Sequence, residues 1–345
     1  MRKRVLFVLM IIISSMFFVS CNHRENTLNI YNWGDYIDMN LLDEFSKKYN
    51  VKVSYNEFGT NEEMYVKLKH SRGQCDVTVP SDYMISKLIN ESMLEPLNYD
   101  NIPNFKEIDD SFKDLDFDKK NIYSVPYMWG TVGIIYNKSL IKDEINSWDD
   151  LWNEKYAGEI LMMDSQRDSM AVALKKLGYS INSVDEKELM EAGKLLIAQK
   201  PLVLAYTGDE VKDLMIGGEA AMAVVYSGDA MVMIEENQDL CYVVPKEGTN
   251  LWFDNLVIPK DAKNKELAEK FINFIIGREA AKRNCEYIGY STPNKYTKEM
   301  LDEDTRNNPI AYPEQSVIDK AQVFVDLKEN IKLYDRIWTD VKIHK

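Results

Sequence analysis

Histidine is nearly missing from this chain of 345 residues: His23, His70 and His344 are the only three, lying near the N-terminus, at a surface helix end and in the tail. The familiar catalytic signatures are missing too, with no G-x-S-x-G elbow, no H-E-x-x-H pair and no G-x-x-x-x-G-K-[ST] loop. A carboxylate pair could still serve a glycosidase, but nothing else points to an enzyme. Cysteine is scarce. Beyond Cys21 there are only Cys75, Cys241 and Cys285, without C-x-x-C pairing or zinc-like spacing, so redox chemistry and a structural metal are not indicated. At most one disulfide is available to them, and Cys75 reads as a buried strand residue. Basic residues are outnumbered, 42 against 56, for a net charge of −14. Losing the three charges of Arg2, Lys3 and Arg4 would take it to −17. Such acidity disfavours nucleic acid as a partner and modestly favours cations through long-range steering.

No apolar run is long enough to span a bilayer. Val5 to Val19, interrupted by Ser14-Ser15, is about fifteen residues where roughly twenty are needed. Preceded by Arg2-Lys3-Arg4, it reads as an export signal covering residues 1–21. Its end, Phe18-Val19-Ser20-Cys21, resembles a lipobox, cleaved before Cys21 and acylated on that thiol; ordinary secretion is the alternative. Residues 22–26 then form a short polar tether.

What remains alternates between strands and helices. Thr27 to Tyr31, Val51 to Tyr55 and Cys75 to Pro80 read as strands; helices with stripes Leu42-Phe45-Tyr49 and Met64-Leu68 lie between them. Short connections of this kind predict a mainly parallel α/β sheet covered on both faces. The charged segment Tyr99 to Asn121 reads as surface covering. A second series starts after Tyr123 to Gly130, with strands at 159–163, 202–206 and 221–226. The chain returns through Leu251-Trp252-Phe253-Asp254-Asn255-Leu256-Val257-Ile258-Pro259. Length and the two series predict two lobes, 27–125 plus 253–295 and 126–252 plus 296–345, joined by hinge crossings around a cleft.

In open sheets, ligands bind beyond the carboxyl ends of strands. Here those ends repeatedly pair an aromatic with a carboxylate or hydroxyl: Trp33 and Tyr36, Ser81 and Tyr83, Asp168, Tyr226 and Asp229, Trp252 and Asp254, and Tyr290. An ionised Asp254 among rings is costly unless a cation or several donors face it; the plain alternative is a turn cap. Ser81 or Asp82 could likewise simply cap the next helix. Aromatic faces attract cations by roughly 0.5–2 kcal/mol each, and carboxylates bind ammonium groups at roughly 1.5–3 kcal/mol. Two anchored ammoniums and a few ring contacts come to about 8 kcal/mol after ordering costs, near micromolar affinity. A sugar would ask for more Asn, Gln and Arg, and an anion for basic residues at helix N-termini.

These residues resemble the spermidine/putrescine-binding proteins of polyamine ABC importers. The likeness runs from about Leu28 into the C-terminal region. It is carried by Tyr31-Asn32-Trp33-x-x-Tyr36, Val79-Pro80-Ser81-x-Tyr83, Pro126-Tyr127-x-Trp129-Gly130, Leu177-Gly178-Tyr179-Ser180, Trp252-x-Asp254 and Ile288-Gly289-Tyr290-x-Thr292-Pro293-Asn294. The resemblance implies a type II periplasmic-binding-protein fold with two α/β lobes. It also implies an aromatic box of Trp33, Tyr36, Tyr83, Tyr226, Trp252 and Tyr290, a hydrogen bond from Ser81, an amine on Asp254 and a terminal ammonium on Asp168. It further implies a periplasmic or membrane-surface monomer, anchored through Cys21, that delivers its ligand to permease subunits without cofactor or metal. Departures bear on specificity. Ser165 stands where spermidine-binding members can carry a second terminal carboxylate, Gly34 replaces a hydroxyl-bearing residue, Asp168 is shorter than a Glu, and Phe324 falls near a position held by Gln. Asp35, Asp82 and Asp229 could compensate, so putrescine and spermidine both stay open. The alternatives are a binder of another organic cation or small solute, and a surface lipoprotein of adhesion or sensing.

Overall fold

The computed structural model describes residues 27–344; the signal segment, Cys21 and the tether lie outside the described residues. The first lobe begins β1 (Thr27–Trp33), α1 (Met39–Tyr49), β2 (Lys52–Phe58), α2 (Asn61–His70), β3 (Val77–Thr78) and α3 (Asp82–Asn90). Local chemistry explains these boundaries. Asp38 caps α1 by accepting from the Asn40 amide, Lys47 and Lys48 sit at its C-terminal end, and Asn50 in the left-handed region stops it. Leu41, Leu42 and Phe45 are its buried stripe.

The second series runs β4 (Ser124–Asn137), β5 (Ile160–Met163), α4 (Gln166–Lys176), α5 (Glu186–Gln199), β6 (Val203–Thr207), α6 (Val211–Ile216), β7 (Met222–Tyr226), α7 (Ser227–Glu236) and β8 (Leu240–Val243). Then follow β9 (Leu251–Val257), α8 (Lys265–Ile275), α9 (Arg278–Ile288) and, after short helices, α10 (Ile331–Ile343).

Among the described residues the strands form one path, β2-β1-β3-β9-β4-β7-β5-β6, with β8 beside β4. The pairs β1–β2, β1–β3, β5–β6 and β5–β7 are parallel, whereas β3–β9, β4–β9, β4–β7 and β4–β8 are antiparallel. The expected mainly parallel sheet is therefore mixed, because the crossing strands run against the rest. The fourteen residues of β4 are the reason the lobes are continuous. Its first half pairs with β9, from Ser124↔Val257 to Thr131↔Leu251, with a register shift between Pro126 and Met128. Its second half, Val132 to Tyr136, pairs with β7. A strand buried at nearly every position reads as a continuous apolar run, and Val125 to Ile135 is one.

Several expectations change. The segment Tyr99 to Asn121 buries Ile102 and Ile108 in the main core, and Asp118 within it accepts from the amides of Ile122, Tyr123 and Ser124. It is an ordered support for β4, not a covering. Cys75 is buried but precedes the two-residue strand β3, and Cys75, Cys241 and Cys285 are all free thiols. After α9, Lys295–Met300 packs on α9 and α10 lies across α4 and α5.

Candidate functional site

Asp254 lies on β9 within the β4–β9 crossing and is 6% exposed. Its Oδ1 accepts from Ser81 Oγ at 2.6 Å and its Oδ2 from the Tyr36 hydroxyl at 2.8 Å. Burial pushes its pKa up to about 6, against the pull of those two donors, and Asp168 adds to the rise. Ser81 occupies the N-cap position of α3 but makes no side-chain cap bond. Its hydroxyl is turned to Asp254 instead, and Asn61 locks that rotamer by accepting from the Ser81 amide and donating to its Oγ, both at 3.1 Å.

From Asp254 a row of rings leads across the cleft. Tyr36 meets Tyr290 edge-on at 5.3 Å, Tyr290 meets Trp252 at 5.4 Å, and Trp252 meets Tyr226 at 5.8 Å. Edge-to-face contacts of this kind fix ring planes. Tyr127 buttresses Tyr36 from behind, donating to its backbone carbonyl at 2.7 Å. Two glycines let the rings in: a Cβ at Gly228 would stand 2.5 Å from Tyr290 Cδ2, and one at Gly130 would stand 2.7 Å from Trp252 Cζ2.

Each end of the row carries a carboxylate. At one end the Tyr226 hydroxyl donates to Asp168 Oδ2 at 3.0 Å and Ser165 Oγ to the same oxygen at 2.5 Å. Burial raises the Asp168 pKa, opposed by those donors and by Arg167. Asp168 Oδ1 and Trp252 Nε1 are buried and, among the described residues, have no hydrogen-bond partner. A ligand ammonium could satisfy the first, as buried polar atoms require. Asp254 stands at the other end, and beside the inner ring the Tyr290 hydroxyl meets Asp229, which burial pushes up to about 6 while Lys212 pulls it down.

The remaining sequence candidates are placed around this row. Trp33 packs against Phe58 at 4.6 Å with the ring planes tilted, and donates through Nε1 to the Val79 carbonyl at 2.8 Å, two residues before Ser81. Tyr83 donates to Glu62 and carries the Arg167 guanidinium 5.3 Å from its ring centre. Phe324 meets the same guanidinium at 4.2 Å and the Tyr83 ring edge-on at 6.1 Å. Asp82 is fully buried, its oxygens accepting from the backbone amides of Tyr83 and Phe253, which tie α3 to β9. Asp35 pairs with Lys212 at 3.2 Å, and Gly34 lies against Asp209.

Sequence reasoning did not single out Arg167, Lys212, Asp209 or Asn61. Arg167 is buried, donating to the Val325 carbonyl and to Asn182. A basic residue beside Asp168 looks in sequence like an ordinary helix surface charge. Only its depth betrays it.

Two α/β lobes sharing an antiparallel crossing, with rings and carboxylates between them, define a cleft-closing solute-binding protein. The comparisons place it further. The chain belongs to the family of bacterial extracellular solute-binding proteins, whose model matches residues 40–312. It is 37% identical over 320 residues to the spermidine/putrescine-binding periplasmic protein of Salmonella typhimurium, covering 92% of both chains. Among solved structures it is similar to the spermidine/putrescine ABC transporter substrate-binding protein PotD of Streptococcus pneumoniae, with 40% identity, a TM-score of 0.80, and 92% and 99% of the two chains covered. It is also similar to the TpPotD lipoprotein of Treponema pallidum, with 26% identity, a TM-score of 0.82, and 92% and 99% covered. The family binds solutes and is not one of enzymes. Among the described residues no helix is long and apolar enough to cross a membrane.

Proposed function

We propose that this protein captures a polyamine, putrescine or spermidine, between its lobes and delivers it to the membrane permease of an ABC importer. The observation that carries the reading is Asp254: a buried carboxylate held by Ser81 and Tyr36 where a ring row begins, with Asp168 at the row's far end. A buried acid of raised pKa gains most from a counter-ion that arrives with its own apolar sleeve. Polyamine methylenes lie on rings and their ammoniums meet carboxylates, which is the chemistry present here. The names of the relatives, spermidine/putrescine-binding and PotD, support the same ligand class.

In this reading Asp254 and Asp168 hold ammoniums, Ser81 orients Asp254, and Tyr36, Tyr226, Trp252 and Tyr290 line the methylenes. Trp33 and Tyr83 flank the row, as do Gly34, Asp35, Asp82, Ser165, Asp229 and Phe324 in the outer ring. The lobes comprise 27–125 plus 253–295 and 126–252 plus 296–345. Cys21 is acylated and holds a monomer in the periplasm or at the outer face of the cytoplasmic membrane, a reading supported by the lipobox-like sequence and by the lipoprotein named among its structural relatives. A thermal-shift panel of polyamines, sugars, amino acids and ferric complexes tests the ligand class. Stabilisation by putrescine or spermidine, and not by the other solutes, is expected; a response confined to another solute would sink the polyamine reading.

A further inference from the structure

Two carboxylates along the ring row differ in one respect. Asp168 keeps a buried acceptor oxygen without a hydrogen-bond partner among the described residues. Asp229, beside the Tyr290 ring, already has a cation of the protein itself acting on it. Lys212, the second residue of α6, places its ammonium 3.2 Å from Asp35 Oδ2 across the cleft, and its side chain is only 20% exposed. Asp229 and Asp209 act on the same ammonium: with Asp35 they keep it charged against the cost of burial. Asp209 also approaches Gly34, where a Cβ would lie 3.4 Å from its Oδ2, in ordinary contact. Three carboxylates converging as the lobes close would repel one another without a counter-charge.

Resting on the polyamine reading above, we propose that Lys212 sets the length of ligand the site accepts. Held across the cleft by Asp35, its ammonium serves Asp229 as a resident cation, leaving Asp254 and Asp168 as the two carboxylates for a ligand. A diamine satisfies both. The third ammonium of a triamine must either stay unpaired or displace Lys212, and like charges placed side by side cost affinity.

Calorimetric titration of the full mature chain with putrescine and with spermidine tests this. The wild type is expected to bind putrescine more tightly, by about tenfold or more. In Lys212→Met, which keeps length and removes charge, spermidine affinity relative to putrescine should rise by about tenfold. Lys212→Arg should restore the wild-type order. Should Lys212→Met fail to fold, Lys212→Gln is read by the same ratio. A wild type that prefers spermidine, or a ratio that ignores the charge at 212, overturns the assignment while leaving polyamine binding in place. A wild type that binds neither amine overturns the polyamine reading itself.

Discussion

Replacing Asp254 by Asn should strengthen the ligand-free fold and cripple binding at once, an opposition that a merely structural aspartate would not produce. The stability side follows from the raised pKa. A shift from 3.8 to about 6 makes the ionised carboxylate cost about 3 kcal/mol in the folded state at neutral pH. The sign is definite. Below pH 3.8 the group is protonated both folded and unfolded, and the penalty is absent. It grows as the unfolded chain ionises and is complete above about pH 6. Asparagine removes it, but offers one oxygen where Ser81 and Tyr36 each donate to a separate one. Re-aiming one hydroxyl costs about 1 kcal/mol, so a net gain of about 2 kcal/mol is expected at pH 7.5 and almost none near pH 4. The binding side is larger and opposite. An ammonium brought into the site without its counter-charge loses about 3–5 kcal/mol, roughly two to three and a half decades in Kd. Scanning calorimetry at the two pH values and titration with putrescine and spermidine measure both halves. A variant that binds either amine within about tenfold of wild type, or that melts lower at pH 7.5, refutes the reasoning.

Other expectations follow from the same geometry. Ser81→Ala removes the donor to Asp254 Oδ1 while leaving α3 without a lost cap bond, so affinity should fall by about tenfold with little change in helix content by circular dichroism. Gly228→Ala drives a methyl into the Tyr290 ring and should cost about 1–3 kcal/mol of stability, read by denaturant titration, together with a weakened ligand response. Affinity should decline as pH falls through about 6, where Asp254 and Asp229 take up protons in the free protein. Titration near that pH in buffers of different ionisation enthalpy should show protons released on binding, and a pH-independent Kd between 5 and 7.5 would contradict it.

Much of the site was legible because its residues break local rules. A lone carboxylate between Trp252 and a buried run has no business there without a partner, and Asp254 stands out for that reason alone. Tyr226 and Tyr290 stand out as rings where a plain connection would carry small residues. What was illegible depends on direction and on distance along the chain. Ser81 and Asp82 both read as caps, yet one hydroxyl is diverted to β9 and the other side chain straddles two backbone amides. Nothing local distinguishes these fates, since adjacent residues at a helix start point to different sides. Lys212 and Asp35 are 177 residues apart, and no periodicity encodes their meeting. The register shift in β4 at Pro126 belongs to the same class: proline without an amide donor permits it, but only the partner strand decides where it falls. The helix α7 was also hidden, because Ser227-Gly228-Asp229 looks like a turn until Tyr290 is seen resting on Gly228.

On the proposed reading, the placement of Asp254 on a crossing strand couples binding to closure. Trp252 and Asp254 lie where β9 pairs with the middle of β4, the segment common to both lobes. Tyr36 and Ser81 reach this floor from the first lobe, and Tyr226 and Asp168 belong to the second. A ligand resting on Asp254 therefore gains its remaining ring and carboxylate contacts only as the lobes approach. The direct cross-cleft ion pair is a weak substitute: Asp35 is 77% exposed in it, so it contributes at most about 1 kcal/mol. A ligand shifts a two-state equilibrium only by its differential affinity for the two states. On the proposed reading that difference resides in the Tyr226–Asp168 wall of the second lobe, while Asp254 belongs to the crossing floor. Loss of Asp254 should accordingly weaken binding to open and closed forms alike, and loss of the Asp168 wall should weaken closure itself.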